Sequence, residues 1–123
     1  MKKTIKTSQK NIHYAGVHLI AEFWDGEIIE STKKIKEILF EAAKATKSTP
    51  LGIKTHKFSP MGITGFILLA ESHISIHTWP EKNYIAIDVF SCGRDTKPKL
   101  GIDYLKKQFK PKRFKIKEIK RGN

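Results

Sequence analysis

The chain has 123 residues, 39% of them hydrophobic, and a formal net charge of +12 from 24 Lys and Arg against 12 Asp and Glu. This length fits a single domain, 1–123, and the apolar residues recur in periodic blocks, which argues against disorder. No apolar run approaches the roughly 20 residues that cross a bilayer, and the Lys-rich beginning lacks the apolar segment of a signal peptide. Because Cys92 is the only cysteine, no intramolecular disulfide can form, and we expect a soluble cytoplasmic protein with a free thiol.

Half of the basic residues lie in one part of the chain. From Arg94 to Arg121 there are twelve Lys or Arg and three acidic residues. Such a block can attract nucleic acid or another anionic surface. Lys-rich helix and strand faces are more often solvated, so the sequence favours a solvated surface over nucleic-acid binding.

The first predicted elements follow a polar, Lys-rich stretch, Met1–Asn11, which has no apolar period and is typical of a flexible lead-in. Apolar residues at alternate positions predict a strand over Tyr14–Trp24. Apolar residues at helical spacing predict a helix over Ser31–Lys47, with Ser31 or Thr32 as its N-cap. Pro50 prevents this helix from continuing.

Four strands are predicted next, over Ile53–Phe58, Ile63–Glu71, Ser72–Trp79 and Tyr84–Ser91. Turns at residues 59–62 and 80–83 join them in pairs. A second helix follows Pro98 and ends before Pro111, ahead of a last strand that carries Phe114 and Ile116. This order indicates an α+β fold, a two-layer sandwich with a mainly antiparallel sheet and the helices on one face.

The hairpin at residues 80–83 determines which residues face each other. If Trp79 and Tyr84 flank a four-residue loop, Ser72 lies opposite Ser91. Glu71 then lies opposite Cys92. The only thiol is thereby predicted beside the Glu71–Ser72 peptide bond.

Residues 71–81 read Glu-Ser-His-x-x-x-His-Thr-Trp-Pro-Glu, and Cys92 follows Ser72 by twenty residues within the block Ala86–Gly93. The blocks Lys54–Pro60 and Gly62–Gly65, with Gly16, His18 and the end Lys120-Arg121-Gly122, extend the pattern over nearly the whole chain. The chain thereby resembles the prokaryotic S-adenosylmethionine decarboxylase proenzymes.

The resemblance implies a self-cleaving precursor. Ser72 Oγ would attack the carbonyl carbon of Glu71, and Thr64 would hydrogen-bond the oxyanion. His77 would be the processing base that removes the Ser72 α-proton, so that the resulting ester leaves by β-elimination. The products would be a β chain of residues 1–71 and an α chain of residues 72–123.

The resemblance also implies the cofactor and the reaction. Ser72 would become a pyruvoyl group that forms a Schiff base with the substrate amine, and Cys92 would protonate the substrate carbon after decarboxylation. Family members form dimers, which implies a homodimer or higher assembly of αβ units with active sites near the subunit contact.

Two further residues bear on the substrate. Phe58 resembles the family aromatic that stacks on adenine, and Glu81 resembles the carboxylate that holds the ribose hydroxyls. The alternatives are a core phenylalanine and an exposed loop acid. The expected substrate is S-adenosylmethionine, whose decarboxylated form is the aminopropyl donor for spermidine and other polyamines.

Other functions stay open. The same apparatus would serve arginine or another amino acid, and the segment Asp25–Lys34 looks shorter than in the family, which could alter substrate choice. A basic nucleic-acid-binding module on an inactive scaffold is the competing class. The intact set of Ser72, His77 and Cys92 argues against it.

Strand spacing does not support every role. Five residues along a strand span roughly 16 Å and reverse the side-chain face, so His77 is not placed beside Ser72 by spacing alone. His73 and His77 would lie roughly 13 Å apart, too far to chelate one ion, and no metal site is predicted. His18, His56 and Trp79 are expected near the core, and Asp88, on an apolar strand, is expected to have a partner.

Overall fold

The structure, a computed structural model, describes residues 14–123. Over this range it has six strands and two α-helices in the order β1 (Gly16–Trp24), α1 (Thr32–Ala45), β2 (Pro50–Lys57), β3 (Ile63–Leu69), β4 (Ser72–Trp79), β5 (Tyr84–Ser91), α2 (Pro98–Phe109) and β6 (Arg113–Arg121). The predicted lead-in, Met1–Asn11, lies outside the described residues.

The strands form one sheet in the order β2-β3-β4-β5-β1-β6, with every neighbouring pair antiparallel. The predicted order of elements is confirmed, and several boundaries differ: α1 ends at Ala45 rather than Lys47, and β2 ends at Lys57 rather than Phe58. β1 begins at Gly16, two residues later than predicted. β2 begins at Pro50, because proline is tolerated as the first residue of a strand. β3 ends at Leu69, because Leu69 pairs with Ser72 across a two-residue turn.

Both helices cover one face of the sheet. Alternate residues of the central strands are buried there against α1 and α2, among them Leu19, Phe23, Ile74, Ile76, Ile87, Val89, Ile38, Leu39, Leu105 and Phe109. α1 starts as its capping residue predicts, because the Ser31 hydroxyl accepts a hydrogen bond from the Lys34 amide at 3.1 Å. Gly65 lets α1 approach closely, since a Cβ there would lie 2.9 Å from Ile35. The two-layer α+β sandwich is thereby confirmed.

The opposite face of the sheet, called here the open face, is not covered by any described part of the chain. Large apolar side chains lie on it, and Phe66, Leu68 and Trp79 are 39%, 47% and 37% exposed. Trp79 lies on this face and His56 is exposed, so their expected place near the core is wrong, whereas His18 is half-buried and hydrogen-bonded to Asp88. Alternation along a strand does not show which of its two faces the helices cover.

Among residues 14–123, no helix is long and apolar enough to span a membrane.

Candidate active site

The Glu71–Ser72 bond lies where a tight turn enters β4. Ala70 and Glu71 form the turn between β3 and β4, and Ser72 is the first residue of β4. Ser72 faces Ser91 on β5, as the hairpin argument predicts. The bond is therefore at an end of the sheet rather than within it.

Cys92 donates two hydrogen bonds to the carbonyl oxygen of Glu71. Its thiol lies 2.7 Å from this oxygen, and its backbone N–H lies 3.2 Å from it. The Cys92 side chain is exposed. The predicted position of the thiol beside the Glu71–Ser72 bond is confirmed, and the two donors polarise the carbonyl group that Ser72 would attack.

The residues on either side of Cys92 hold it in place. The hydroxyls of Ser91 and Thr96 are hydrogen-bonded, and the Thr96 hydroxyl also donates to the carbonyl oxygen of Gly93 at 2.7 Å. A Cβ at Gly93 would lie 2.8 Å from Thr96 and 3.0 Å from Cγ of Glu71. Glycine is therefore needed for the close approach of the two segments. A cavity of about 170 Å³ opens here, lined in part by Gly16, Ser91 and Cys92.

Thr64 and His77 lie at the other end of the sheet. They face each other on β3 and β4, with Oγ1 of Thr64 3.1 Å from Nδ1 of His77. β4 pairs with both neighbours from Ser72 to Trp79 without a bulge, so His77 is roughly 16 Å from Ser72 and on the opposite face. Within one chain, Thr64 therefore does not reach the Glu71 oxygen, whose donors come from Cys92.

Phe58 and Glu81 share a cavity with this pair. The cavity has a volume of about 630 Å³ and is lined by Phe58, Thr64, His77, Trp79 and Glu81, among others. Phe58 is 49% exposed, which excludes the alternative of a core phenylalanine. The volume falls within the range of about 300–1,000 Å³ that is usual for small-molecule sites.

Glu30, which the sequence did not single out, holds the turn that follows Phe58. Its carboxylate accepts hydrogen bonds from the Lys57 ammonium at 2.6 Å and from the Gly62 amide at 3.2 Å. The pKa of Glu30 is lowered, mainly by the hydrogen bond from Lys57; burial, the next effect in size, opposes this, and the Gly62 amide lowers the pKa further. The only signal in the sequence is its place within the segment 25–34, which looks shorter than in the family.

A polar cluster lies on the open face between the two ends. Asp88 has the partner expected for it, because its Oδ1 is 3.0 Å from Nε2 of His18 and its Oδ2 accepts a hydrogen bond from Ser75 at 3.3 Å. His73 lies nearby, and burial, then the charge of His18, lower its pKa, with Asp88 acting in the opposite sense. Among the described residues, no group of three or more His, Cys, Asp and Glu is placed to hold a metal ion.

Comparisons with known proteins show the family of the chain. The profile of a family described as S-adenosylmethionine decarboxylase matches residues 17–122. An S-adenosylmethionine decarboxylase proenzyme of Methanococcus maripaludis strain S2 is 46% identical over 109 residues, which are 87% of this chain and 89% of the relative. One of Pyrococcus furiosus is 45% identical over 109 residues, or 87% of this chain and 78% of the relative.

A solved structure is also similar. The crystal structure of the adenosylmethionine decarboxylase from Aquifex aeolicus matches with a TM-score of 0.82 at 36% identity and covers 89% of this chain and 92% of that one. The chain is therefore an enzyme of the decarboxylase class, and it belongs to the S-adenosylmethionine decarboxylase family.

Proposed function

We propose that the chain is a precursor that cleaves itself at Glu71–Ser72 and then decarboxylates S-adenosylmethionine to the aminopropyl donor of polyamine synthesis. The observation that carries this proposal is the pair of Cys92 donors on the carbonyl oxygen of Glu71, directly before Ser72. Family membership supports the substrate and does not favour the arginine alternative. The free thiol suits the reducing cytoplasm in which we propose that the enzyme works.

The cleavage would begin with an acyl shift. Ser72 Oγ bonds to the carbonyl carbon of Glu71, the C–N bond breaks, and the nitrogen takes the proton that the hydroxyl loses. Negative charge develops on the Glu71 oxygen during this step. The Cys92 N–H and S–H lie at hydrogen-bonding distance from this oxygen before the reaction starts, so they stabilise the charge without rearrangement.

The ester would then be opened by elimination. A base removes the α-proton of Ser72, the Cβ–O bond breaks, and Glu71 leaves as the carboxylate that ends the β chain. The dehydroalanine left at residue 72 tautomerises, takes up water and releases ammonia, which gives a pyruvoyl group. No oxidant or reductant is needed.

The residues around Ser72 fit such a group. Cys92 lies at the bond that would be cut, and it also lines the cavity of about 170 Å³ together with Ser91, the residue that faces Ser72. A pyruvoyl group would supply the electron sink for decarboxylation. We assign the role of proton donor for the substrate carbon to the Cys92 thiol, because it is exposed and lies at the bond that forms the pyruvoyl group.

Phe58 and Glu81 support a nucleoside as part of the substrate. An exposed aromatic ring offers a stacking surface for adenine, and a carboxylate in the same cavity can accept two hydrogen bonds from ribose hydroxyls. Arginine needs no stacking ring.

A second copy of the chain would complete the site. Thr64, His77, Phe58 and Glu81 lie at one end of the sheet, whereas Ser72 and Cys92 lie at the other. If two copies pack open face to open face about a two-fold axis perpendicular to the strands, the strand direction is reversed and opposite ends meet. His77 of the second copy then lies over the Ser72 end of the first, on the face of β4 opposite to the Ser72 side chain.

The open face has the character of such an interface. It carries the exposed apolar side chains of Phe66, Leu68 and Trp79. Exposed apolar patches of this kind mark contact surfaces. We therefore propose a homodimer of αβ units in which each active site draws on both copies.

Self-cleavage is the first prediction. The purified chain should yield fragments of 71 and 52 residues, the smaller with a pyruvoyl N-terminus that mass spectrometry identifies. Ser72→Ala should abolish cleavage, because it removes the attacking hydroxyl. A wild-type chain that stays intact after long incubation would contradict the proposal.

Cys92→Ala should separate cleavage from turnover. The backbone N–H of residue 92 remains, and a thiol is a weak donor, so cleavage should slow by no more than about tenfold. Decarboxylation per pyruvoyl group should fall at least about 100-fold, because the proton donor is lost. Turnover equal to the wild type would show that Cys92 is only a structural residue.

Mixed dimers test the sharing of sites between copies. Chains carrying Ser72→Ala or His77→Ala should each stay uncleaved when expressed alone. When differently tagged versions are expressed together, the His77→Ala chain should be cleaved, because the Ser72→Ala copy supplies His77. As a control, a chain with both substitutions should give no rescue. If the mixed dimers also stay uncleaved, His77 does not act across the interface.

The substrate is tested by competition between two amino acids. Carbon dioxide release should favour S-adenosylmethionine over arginine at equal concentration. Phe58→Ala should raise the KM for S-adenosylmethionine about tenfold or more, because a stacked base contributes about 1–3 kcal/mol. Phe40→Ala is the matched control, since Phe40 is similarly exposed but lies on α1. Preference for arginine, or indifference to the loss of the Phe58 ring, would refute the substrate assignment.

A further inference from the structure

The side chain of Glu71 is held by the connection between α1 and β2. The backbone N–H of Thr49 donates to Oε1 of Glu71 at 3.0 Å, and the Thr49 hydroxyl donates to Oε2 at 3.3 Å. The carbonyl oxygen of Thr49 accepts a hydrogen bond from the Ala70 amide at 2.9 Å. One residue therefore contacts both residues of the turn that precedes the cleavage bond.

The connection itself is well anchored. The Thr46 side chain is buried at the end of α1, and its hydroxyl donates to the carbonyl oxygen of Ala43 at 2.7 Å. The carbonyl oxygen of Thr46 accepts a hydrogen bond from the Lys97 amide at 2.7 Å, next to the start of α2. Thr49 thus follows a segment that is fixed to both helices.

Glu71 is constrained from three sides. Thr49 holds its carboxylate, Cys92 holds its carbonyl oxygen, and its Cβ and Cγ lie against Gly93, where an added Cβ would approach Cγ to 3.0 Å. The carboxylate and the carbonyl belong to the same residue. Fixing the carboxylate therefore restricts rotation of the Glu71–Ser72 peptide away from the Cys92 donors.

We infer that Thr49 is a positioning residue for self-cleavage: it holds the Glu71 carboxylate so that the carbonyl group under attack stays on the Cys92 N–H and S–H. The inference rests on the proposed cleavage and adds a residue outside the motifs. Thr49 acts through Glu71 and does not contact the reacting atoms. Its effect is therefore expected on the rate of cleavage, before any substrate is bound.

The test compares two substitutions of similar size. Thr49→Val removes the hydroxyl and keeps the backbone N–H, and cleavage of freshly synthesised chain should slow about three- to tenfold, as expected for one hydrogen bond to a charged group. Thr49→Ser restores the hydroxyl and should recover the wild-type rate. Thr55→Val, within β2 and distant from Glu71, is the matched control.

A double-mutant cycle tests whether Thr49 acts through Glu71. Glu71→Ala removes the acceptor of both hydrogen bonds and should slow cleavage more than Thr49→Val does. Adding Thr49→Val to Glu71→Ala should then produce no further slowing, because the partner is already absent. Thermal unfolding of each precursor, measured alongside, should show the same midpoint for Thr49→Val and Thr49→Ser.

Specific outcomes would overturn the inference. Cleavage of Thr49→Val at the wild-type rate would refute the positioning role of Thr49. The same role would be refuted if Thr49→Val slowed cleavage as much in the Glu71→Ala chain as in the wild-type chain. A fall in the unfolding midpoint that tracks the cleavage rate would assign Thr49 a structural role only. An uncleaved wild-type chain would refute the proposed function and this inference together. If the wild-type chain is cleaved and Thr49→Val is cleaved at the same rate, only the positioning role of Thr49 is refuted.

Discussion

The antiparallel register between β4 and β5 is the constraint on which the candidate site depends. It sets Ser72 opposite Ser91 and thereby leaves the Glu71 carbonyl facing Cys92. A slip of one residue would turn Ile74 and Ile76 out of the core and bring polar side chains in. The burial that stabilises the fold therefore also fixes the chemistry at the end of the sheet, and the two cannot change separately.

The straightness of β4 has a second consequence. Continuous pairing on both sides keeps Ser72 and His77 apart, and a bend that brought them together would break hydrogen bonds to two neighbouring strands. Under the proposed function, a second copy of the chain brings the two ends of the sheet together. The precursor would then need to associate before it can complete cleavage, which makes assembly an early step of maturation rather than a late one.

Much of this arrangement could be predicted from the sequence, because a period of two and a short hairpin loop determine register directly. The placement of Cys92 beside the Glu71–Ser72 bond followed from that reasoning alone. Contacts made by Glu30, Thr49 and Thr96 could not be predicted, because they join loops whose paths depend on the packing of α1 and α2. Trp79 and His56 were misplaced for a different reason: alternation shows that a strand has two faces but not which apolar face the helices cover.

Under the proposed function, Cys92 links the two reactions of the chain. In the precursor its thiol donates a hydrogen bond to the carbonyl oxygen of Glu71. There it would stabilise the charge that develops in the acyl shift, and it is not available to donate a proton to a substrate. Cleavage would turn that oxygen into part of the carboxylate that ends the β chain, which is no longer covalently joined to residue 72 and can move away from the thiol. The precursor is thus inactive for two reasons, the missing pyruvoyl group and an engaged proton donor. Thr49 influences both, because it holds Glu71 against Cys92 until the bond between residues 71 and 72 is cut.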